Sequence, residues 1–137
     1  MNIGLGQQRR TILLIDADPH ARAVLRTALE DASFSVGEAA NNQEAERTIA
    51  RTKPDAVLAD LLLEPASAGL TIFEWLRGNG DETPCYVVST AGDALHGSVG
   101  LHELGVTGVF LKPVDTALVI QTLRTQLGVG RPGHGHA

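Results

Sequence analysis

Two acids, a hydroxyl and a lysine stand at the ends of four short apolar runs in this 137-residue sequence. In chain order they are Asp16, Asp60, Thr90 and Lys112. If such runs are parallel strands of one sheet, their carboxyl ends meet at one edge, where α/β proteins bind ligands. A carboxylate there can act as a nucleophile or hold Mg²⁺, a hydroxyl can donate to a phosphoryl oxygen, and an ammonium can neutralise charge. The set therefore suits phosphoryl transfer to a carboxylate.

The run that ends in Asp60 is the one around which the others are arranged. Pro54 precedes it, and the residues between Asp55 and Asp60 are all apolar. A short apolar run of this kind predicts a strand buried on both faces, as in a parallel sheet. An Asp at such a position more often caps the next loop than acts as a nucleophile or a metal ligand. The residues at the other strand ends reverse that preference for Asp60.

Five apolar runs alternate with five helical patterns along the chain. The strands are predicted at 11–15, 33–38, 55–60, 85–89 and 107–111. The predicted N-caps of helices one, two, four and five are Asp18, Asn42, Asp93 and Asp115. The alternation implies parallel strands joined by right-handed helical crossovers, and hence a three-layer α/β sandwich.

The spacing of apolar residues predicts the buried faces of the helices. The inward residues of helices one and five are Val24, Leu25, Ala28, Leu29, Ala32, Leu118, Val119, Leu123 and Leu127. Helix four is predicted to be the least stable, because Gly97 and Gly100 each cost about 1 kcal/mol relative to alanine. Cys85 is expected to be a small buried residue, and Trp75 to pack from helix three.

The composition is that of an ordinary globular protein, with 43% hydrophobic and 20% charged residues. The net charge of -5 argues against general nucleic-acid binding. The single cysteine excludes an internal disulfide. No signal peptide or membrane-length apolar run is found, so we expect a cytoplasmic protein without membrane contact. One domain is predicted at 11–127, between a flexible N-terminus at 1–10 and a flexible tail at 128–137.

Four separate segments carry a resemblance to a known family. They read Ile12-Leu-Leu-Ile-Asp-Ala-Asp-Pro19, Lys53-Pro-Asp-Ala-Val-Leu-Ala-Asp60, Thr90-Ala91 and Gly105-Val-Thr-Gly-Val-Phe-Leu-Lys-Pro113. From Thr11 to Leu127 the chain resembles the receiver domain of two-component response regulators, the CheY-like superfamily. The resemblance implies a flavodoxin-like three-layer α/β sandwich, with a five-stranded parallel sheet in the order 2-1-3-4-5 and five helices.

The resemblance also implies a role for each residue at the strand ends. The acid that ends strand three, here Asp60, would accept a phosphoryl group from a sensor histidine kinase or a phosphotransfer protein. Thr90 would be the phosphate-sensing hydroxyl and Lys112 the cation that contacts the phosphate. Mg²⁺ would be held by Asp16, Asp60 and the backbone carbonyl of Leu62. Phosphorylation would switch the binding of a downstream protein through the surface of helix 4, strand 5 and helix 5. The protein would act as a signalling switch and not as an enzyme, and a homodimer is possible.

Three features depart from the family pattern. Receivers usually carry two adjacent acids after strand one, but Ala17 replaces the second, which is a direct metal ligand, so Mg²⁺ binding is expected to be weakened. The Pro and Gly of the loop after strand three, Pro65 and Gly69, each fall one residue late. Val109 stands where many receivers have an aromatic switch residue, with Phe110 next to it. Output is therefore expected to depend on the order of helix four more than on a side-chain rotation.

The identity of the phosphate-sensing hydroxyl stays open between two neighbours. Counting forward from Pro84 favours Ser89, whereas counting back from Lys112 favours Thr90. We prefer Thr90, because loop lengths vary more easily than strand alternation does.

Two further assignments and one alternative function complete the prediction. Asp18 is expected to cap helix one rather than to bind the metal, and His20 to be a solvated surface residue. The alternative to a phosphorylated receiver is a pseudo-receiver, which acts as a phosphorylation-independent protein interaction module. A flavodoxin-like cofactor binder has little support, since no loop is rich in the residues that cradle a cofactor phosphate. We expect either a stand-alone regulator or a piece of a larger protein.

Overall fold

The computed structural model describes residues 9–60, 68–90 and 105–129. Several predictions fall outside these ranges. They are helix four with Gly97 and Gly100, the loop positions Leu62 and Pro65, and most of the two ends predicted to be flexible. The described residues include the sheet, four helices and the strand ends that carry the predicted site.

Five parallel strands form one sheet. They are β1 at Thr11–Ile15, β2 at Ser35–Ala39, β3 at Ala56–Asp60, β4 at Cys85–Ser89 and β5 at Gly108–Leu111. Their order is β2-β1-β3-β4-β5, and each neighbouring pair is parallel, which confirms the predicted flavodoxin-like sheet. β3 lies in the centre, and its first four residues are buried from both sides, as its unbroken apolar run predicts.

Four helices are present in the described part of the chain. They are α1 at Pro19–Asp31, α2 at Asn42–Thr52, α3 at Ala68–Gly78 and a C-terminal helix at Thr116–Leu127. Asp18 and Asp115 cap α1 and the C-terminal helix as predicted, each accepting hydrogen bonds from N–H groups of the first turn. The predicted cap of α2 is wrong by one residue, because Asn41 and not Asn42 accepts the hydrogen bond from the Glu44 N–H, at 2.9 Å. Each of these helices falls short of the combined length and apolar character that a bilayer span requires.

The alternation of side chains along the strands divides the core into two layers. One layer, which includes Leu13 and Val57, packs with residues of α2 and α3. The other includes Leu14 and Leu58 and packs with residues of α1 and the C-terminal helix. Successive residues of a strand point to opposite faces of the sheet. The position of a residue along its strand therefore decides which layer it joins, and which other side chains it can meet.

Two residues predicted to be inward lie on the surface instead. Val24 is 52% exposed and Leu118 is 51% exposed, so their assignment to the buried faces is wrong. Consecutive residues of a helix are about 100° apart around its axis. The buried stripe of α1 runs through Leu25 and Leu29, four residues apart, and Val24 falls beside it on the solvent side.

Four strand boundaries differ from the prediction, and one of them is the end of β2, which lies at Ala39 and not at Glu38. β2 begins at Ser35, because Ser33 has a left-handed backbone with φ 74°, which a strand does not adopt. β3 and β5 each begin one residue later than predicted. Cys85 is buried, and Trp75 packs partly buried against the layer of α2 and α3, both as predicted.

Replacing Leu29 by alanine should lower the free energy of unfolding by about 2–5 kcal/mol, because truncation of a fully buried leucine leaves a cavity. Val24→Ala on the same helix removes a largely exposed side chain and should change it by about 0.5 kcal/mol or less. Urea unfolding of both variants measures the difference. Equal losses in the two variants would contradict the assignment of the buried face of α1.

Candidate functional site

Strand alternation brings the four predicted residues to the same layer at one edge of the sheet. In the four strands concerned, the layer under α1 and the C-terminal helix contains Leu14, Leu58, Val88 and Phe110. Asp60 itself is aligned with Val88 across β3 and β4. The residue two positions further along each strand lies on the same face of the sheet. The residues reached in this way are Asp16, Asp60, Thr90 and Lys112.

Asp60 and Lys112 are in direct contact. The Lys112 Nζ lies 3.3 Å from both Oδ1 and Oδ2 of Asp60. The Asp60 side chain is 12% exposed and that of Lys112 is 33% exposed, so water screens this ion pair less than it screens a surface pair. The Lys112 N–H also donates to the Ser89 carbonyl at 2.8 Å, which holds the lysine against the end of β4.

Asp16 is the second carboxylate at this edge. It follows β1 directly, and its side chain is close enough to Asp60 for a hydrogen bond between the two carboxyl groups. Partial burial is the main cause that raises the pKa of Asp16, and the charge of Asp60 and that hydrogen bond add to it. The Asp18 N–H and the charge of Lys112 act in the opposite direction. The acidic pair is therefore a place where negative charge is costly and a cation is favoured.

Asp18 caps the helix and orients Asp16 through its backbone. The Asp18 carboxylate accepts a hydrogen bond from the His20 N–H at 2.9 Å, at the start of α1. The Asp18 N–H donates to Oδ1 of Asp16 at 2.8 Å. His20 is exposed, as a surface histidine would be. The structure therefore places Asp18 in the helix cap, where the sequence predicts it.

Ser89 and Thr90 stand in different positions relative to Asp60. Ser89 is fully buried, and its Oγ donates to the Thr90 carbonyl at 3.0 Å. It lies on the same side of β4 as Cys85, which belongs to the layer of α2 and α3. Thr90 is exposed and continues the side of Val88, the residue aligned with Asp60. The alternation of β4 therefore favours Thr90 as the hydroxyl at the acidic edge.

A family model for the response regulator receiver domain matches residues 12–124. The match spans most of the chain and includes all four residues of the acidic edge. This chain belongs to the response regulator receiver family. The residues predicted from the strand ends all lie within the matched range.

Relatives of this receiver agree with the assignment. Response regulator MprA of Mycobacterium sp. (strain KMS) is 32% identical over 124 residues, which cover 90% of this chain and 53% of MprA. The chain therefore spans about half the length of the curated relatives it matches. A response regulator receiver protein from Pseudomonas putida shares the fold, with 24% identity, a TM-score of 0.76 and coverage of 86% of this chain and 98% of that one. Chemotaxis response regulator CheY4 of Vibrio cholerae does so with 22% identity, a TM-score of 0.77 and coverage of 86% and 98%.

Receiver domains in general bind Mg²⁺, and the acidic pair of this receiver suits that ion. Asp16 and Asp60 offer hard carboxylate oxygens at the ends of adjacent strands. Within the described ranges no three His, Cys, Asp or Glu side chains are grouped as a metal site, and the methyl group of Ala17 adds no ligand. The predicted carbonyl ligand, Leu62, lies outside those ranges. Mg²⁺ usually takes one or two carboxylates and keeps several waters, so two acids are a sufficient protein contribution.

Sequence reasoning missed one residue that contacts this site. The Arg22 Nη1 donates to the backbone carbonyl of Asp16 at 2.5 Å, and its Nε donates to Glu38 at 3.1 Å. One signal could have revealed it: Arg22 lies three and seven residues before Leu25 and Leu29, and hence on the buried face of α1. A charged residue on that face near the acidic edge is expected to have a partner there.

In buffer without Mg²⁺, Asp16→Asn should raise the free energy of unfolding at neutral pH. The pKa of Asp16 is raised above its ordinary value of 3.8, so the folded state holds the proton more tightly than the unfolded state does. Stability therefore falls as the pH rises from 3.8 through the raised folded pKa, and asparagine, being uncharged, escapes that loss. Urea unfolding at neutral pH and at about pH 3 measures the effect, which should be largely absent at the lower pH. An equal gain at both pH values would mean that the charge is not its cause.

Proposed function

We propose that this receiver accepts a phosphoryl group on Asp60 from a sensor histidine kinase or a phosphotransfer protein. A carboxylate oxygen of Asp60 forms a bond to phosphorus while the phosphorus–nitrogen bond of the donor's phosphohistidine breaks, which yields an acyl phosphate and releases the imidazole. The observation that carries the proposal is the Lys112 Nζ at 3.3 Å from both oxygens of Asp60.

Lys112 offsets the negative charge that the phosphoryl group brings. A phosphoryl group adds about 1.5 to 2 negative charges at neutral pH. The ammonium has three donors on a flexible stem, so it can follow an oxygen of Asp60 or of the phosphoryl group. Thr90 stands at the same edge and can donate its hydroxyl to a phosphoryl oxygen. Mg²⁺, held by Asp16 and Asp60, would neutralise further charge when bound.

The proposed output surface includes β5, the C-terminal helix and the predicted helix four. β5 exposes Val109 and Leu111, 38% and 50% respectively, and the C-terminal helix exposes Leu118. Val109 and Leu111 lie on the same side of β5, and neighbouring exposed apolar side chains are typical of surfaces that bind other proteins. Lys112 follows Leu111 directly, so a new charge on Asp60 acts on the residue next to this surface. A downstream protein target would read that change.

Asp60→Asn should abolish phosphorylation by a small phosphodonor with Mg²⁺, because a carboxamide does not form an acyl phosphate under these conditions. The measurement is the mass shift of one phosphoryl group on the intact protein. Asp31→Asn, which changes an exposed acid at the end of α1, is the matched control and should keep full uptake. Unchanged uptake in Asp60→Asn would remove Asp60 as the acceptor. Absence of uptake in the unchanged protein would favour the pseudo-receiver.

Ala17→Asp should tighten Mg²⁺ binding on the order of tenfold, because the number of charged ligands sets the affinity of such sites. It should also speed phosphoryl uptake at a given Mg²⁺ concentration and modestly destabilise the metal-free fold, since a third acid adds repulsion. A Mg²⁺ titration followed by Trp75 fluorescence measures the affinity. Ala17→Asn is the control for side-chain size and should tighten binding less. Affinity of the unchanged protein equal to that of Ala17→Asp would show that another group already fills the position.

A further inference from the structure

The backbone of Asp16 is held at both of its polar groups. The Arg22 Nη1 donates to the Asp16 carbonyl at 2.5 Å, and the Asp16 N–H donates to the Ala39 carbonyl at 3.0 Å. The carboxylate accepts the Asp18 N–H at 2.8 Å. Asp16 lies just past the end of β1, and its N–H still bonds to the last residue of β2. The bond from Arg22 adds a restraint on the carbonyl of the same residue.

Glu38 in turn holds Arg22. Its Oε1 accepts from the Arg22 Nε at 3.1 Å, and its Oε2 accepts from the Arg26 Nη1 at 2.7 Å. Burial raises the pKa of Glu38, but the hydrogen bonds and charges of the two arginines outweigh it and lower the pKa. Glu38 thus stays ionised at neutral pH and maintains its ion pairs with both guanidinium groups.

The guanidinium of Arg22 is suited to connect Glu38 with Asp16. Its planar group donates in several fixed directions, so one side chain can satisfy a carboxylate on β2 and a carbonyl after β1 together. The Arg22 side chain is 16% exposed, so water competes little for its hydrogen bonds. It also lines a small cavity together with Asp16 and Asp60. Arg26 contacts the same carboxylate from the same helix and also pairs with Glu30 at 4.0 Å, and neither of these contacts is to Asp16.

We infer that Arg22, held by Glu38, is a positioning residue for the carboxylate of Asp16 at the acidic pair. The inference rests on the proposed function, in which Asp16 and Asp60 hold Mg²⁺. Mg²⁺ demands near-ideal octahedral geometry. Because Ala17 provides no carboxylate, a displaced Asp16 has no neighbouring acid to compensate for it. Partners of metal ligands commonly influence metal affinity almost as strongly as the ligands do.

Arg22→Lys tests this inference, because lysine keeps the charge but loses the planar group that reaches Glu38 and Asp16 together. Mg²⁺ binding, followed by Trp75 fluorescence or by the amide signals of residues 16 and 60, should weaken by about tenfold or more. Arg26→Lys is the matched control, since it makes the same change against the same glutamate and should leave Mg²⁺ affinity unchanged. Thermal unfolding of both variants separates this effect from a general loss of stability, which should be similar in the two.

Each other outcome bears on the inference directly. Equal weakening in the two variants, or no weakening in Arg22→Lys, would overturn it. Should Arg22→Lys fail to fold, Glu38→Gln removes the charge that holds Arg22 and should also weaken Mg²⁺ binding; unchanged binding there would overturn the inference. Absence of Mg²⁺ binding by the unchanged protein would do the same. Mg²⁺ binding that depends on Arg22, without phosphoryl uptake, would refute the proposed function and leave this inference in place.

Discussion

Repulsion between two carboxylates at one sheet edge is the constraint on which the site depends. Asp16 and Asp60 meet because β1 and β3 are adjacent parallel strands with aligned ends. Two like charges about 4 Å apart repel by about 4 kcal/mol at an effective dielectric constant of about 20. Lys112 offsets part of this repulsion. Partial burial is the main cause that raises the pKa of Asp16, and the charge of Asp60 adds to it. The charge that disfavours the ionised pair is also what attracts a cation to it.

The turn from β1 to α1 combines several local interactions around Asp16. The carboxylate of Asp18 caps the helix, and its N–H fixes the carboxylate of Asp16. One turn later, Arg22 reaches back to the Asp16 carbonyl. The start of α1 thus supplies two donors to Asp16: the Asp18 N–H for its carboxylate and the Arg22 guanidinium for its carbonyl. The geometry of one half of the acidic pair follows from how this helix begins.

The other half of the site connects with the surface through β5. Phe110 of this strand is buried, stacked on Tyr86 with ring centroids 5.2 Å apart, while Val109 and Leu111 on either side are exposed. One strand therefore has a face in the core and a face toward solvent, and it leads directly to Lys112. The ion pair between Asp60 and Lys112 therefore lies next to the exposed apolar residues of β5, which is a physical basis for coupling the two.

Local patterns allowed much of the fold to be predicted from the sequence. The apolar runs located all five strands to within two residues, and Asp18 and Asp115 marked two helix starts, because strand burial and helix capping depend on neighbours in the chain. The residues at the strand ends could be named for the same reason. Their roles and the sheet order came from a resemblance carried by four separate segments, and the order is the one observed.

The sequence by itself thus determined where the elements lie and which strand ends carry charge, whereas the tertiary structure decided which side chains face each other. Whether Val24 and Leu118 are buried depends on which neighbours cover them, and that is not encoded in helical spacing. The side of β4 on which Ser89 and Thr90 each lie relative to Asp60 follows from the pairing of β3 with β4. Arg22 and Glu38 are sixteen residues apart in the chain and come into contact when β2 pairs with β1 and α1 packs over them. Contacts of this kind arise from packing between distant segments, so a pattern within one segment can place Arg22 on the buried face of α1 but does not identify its partner.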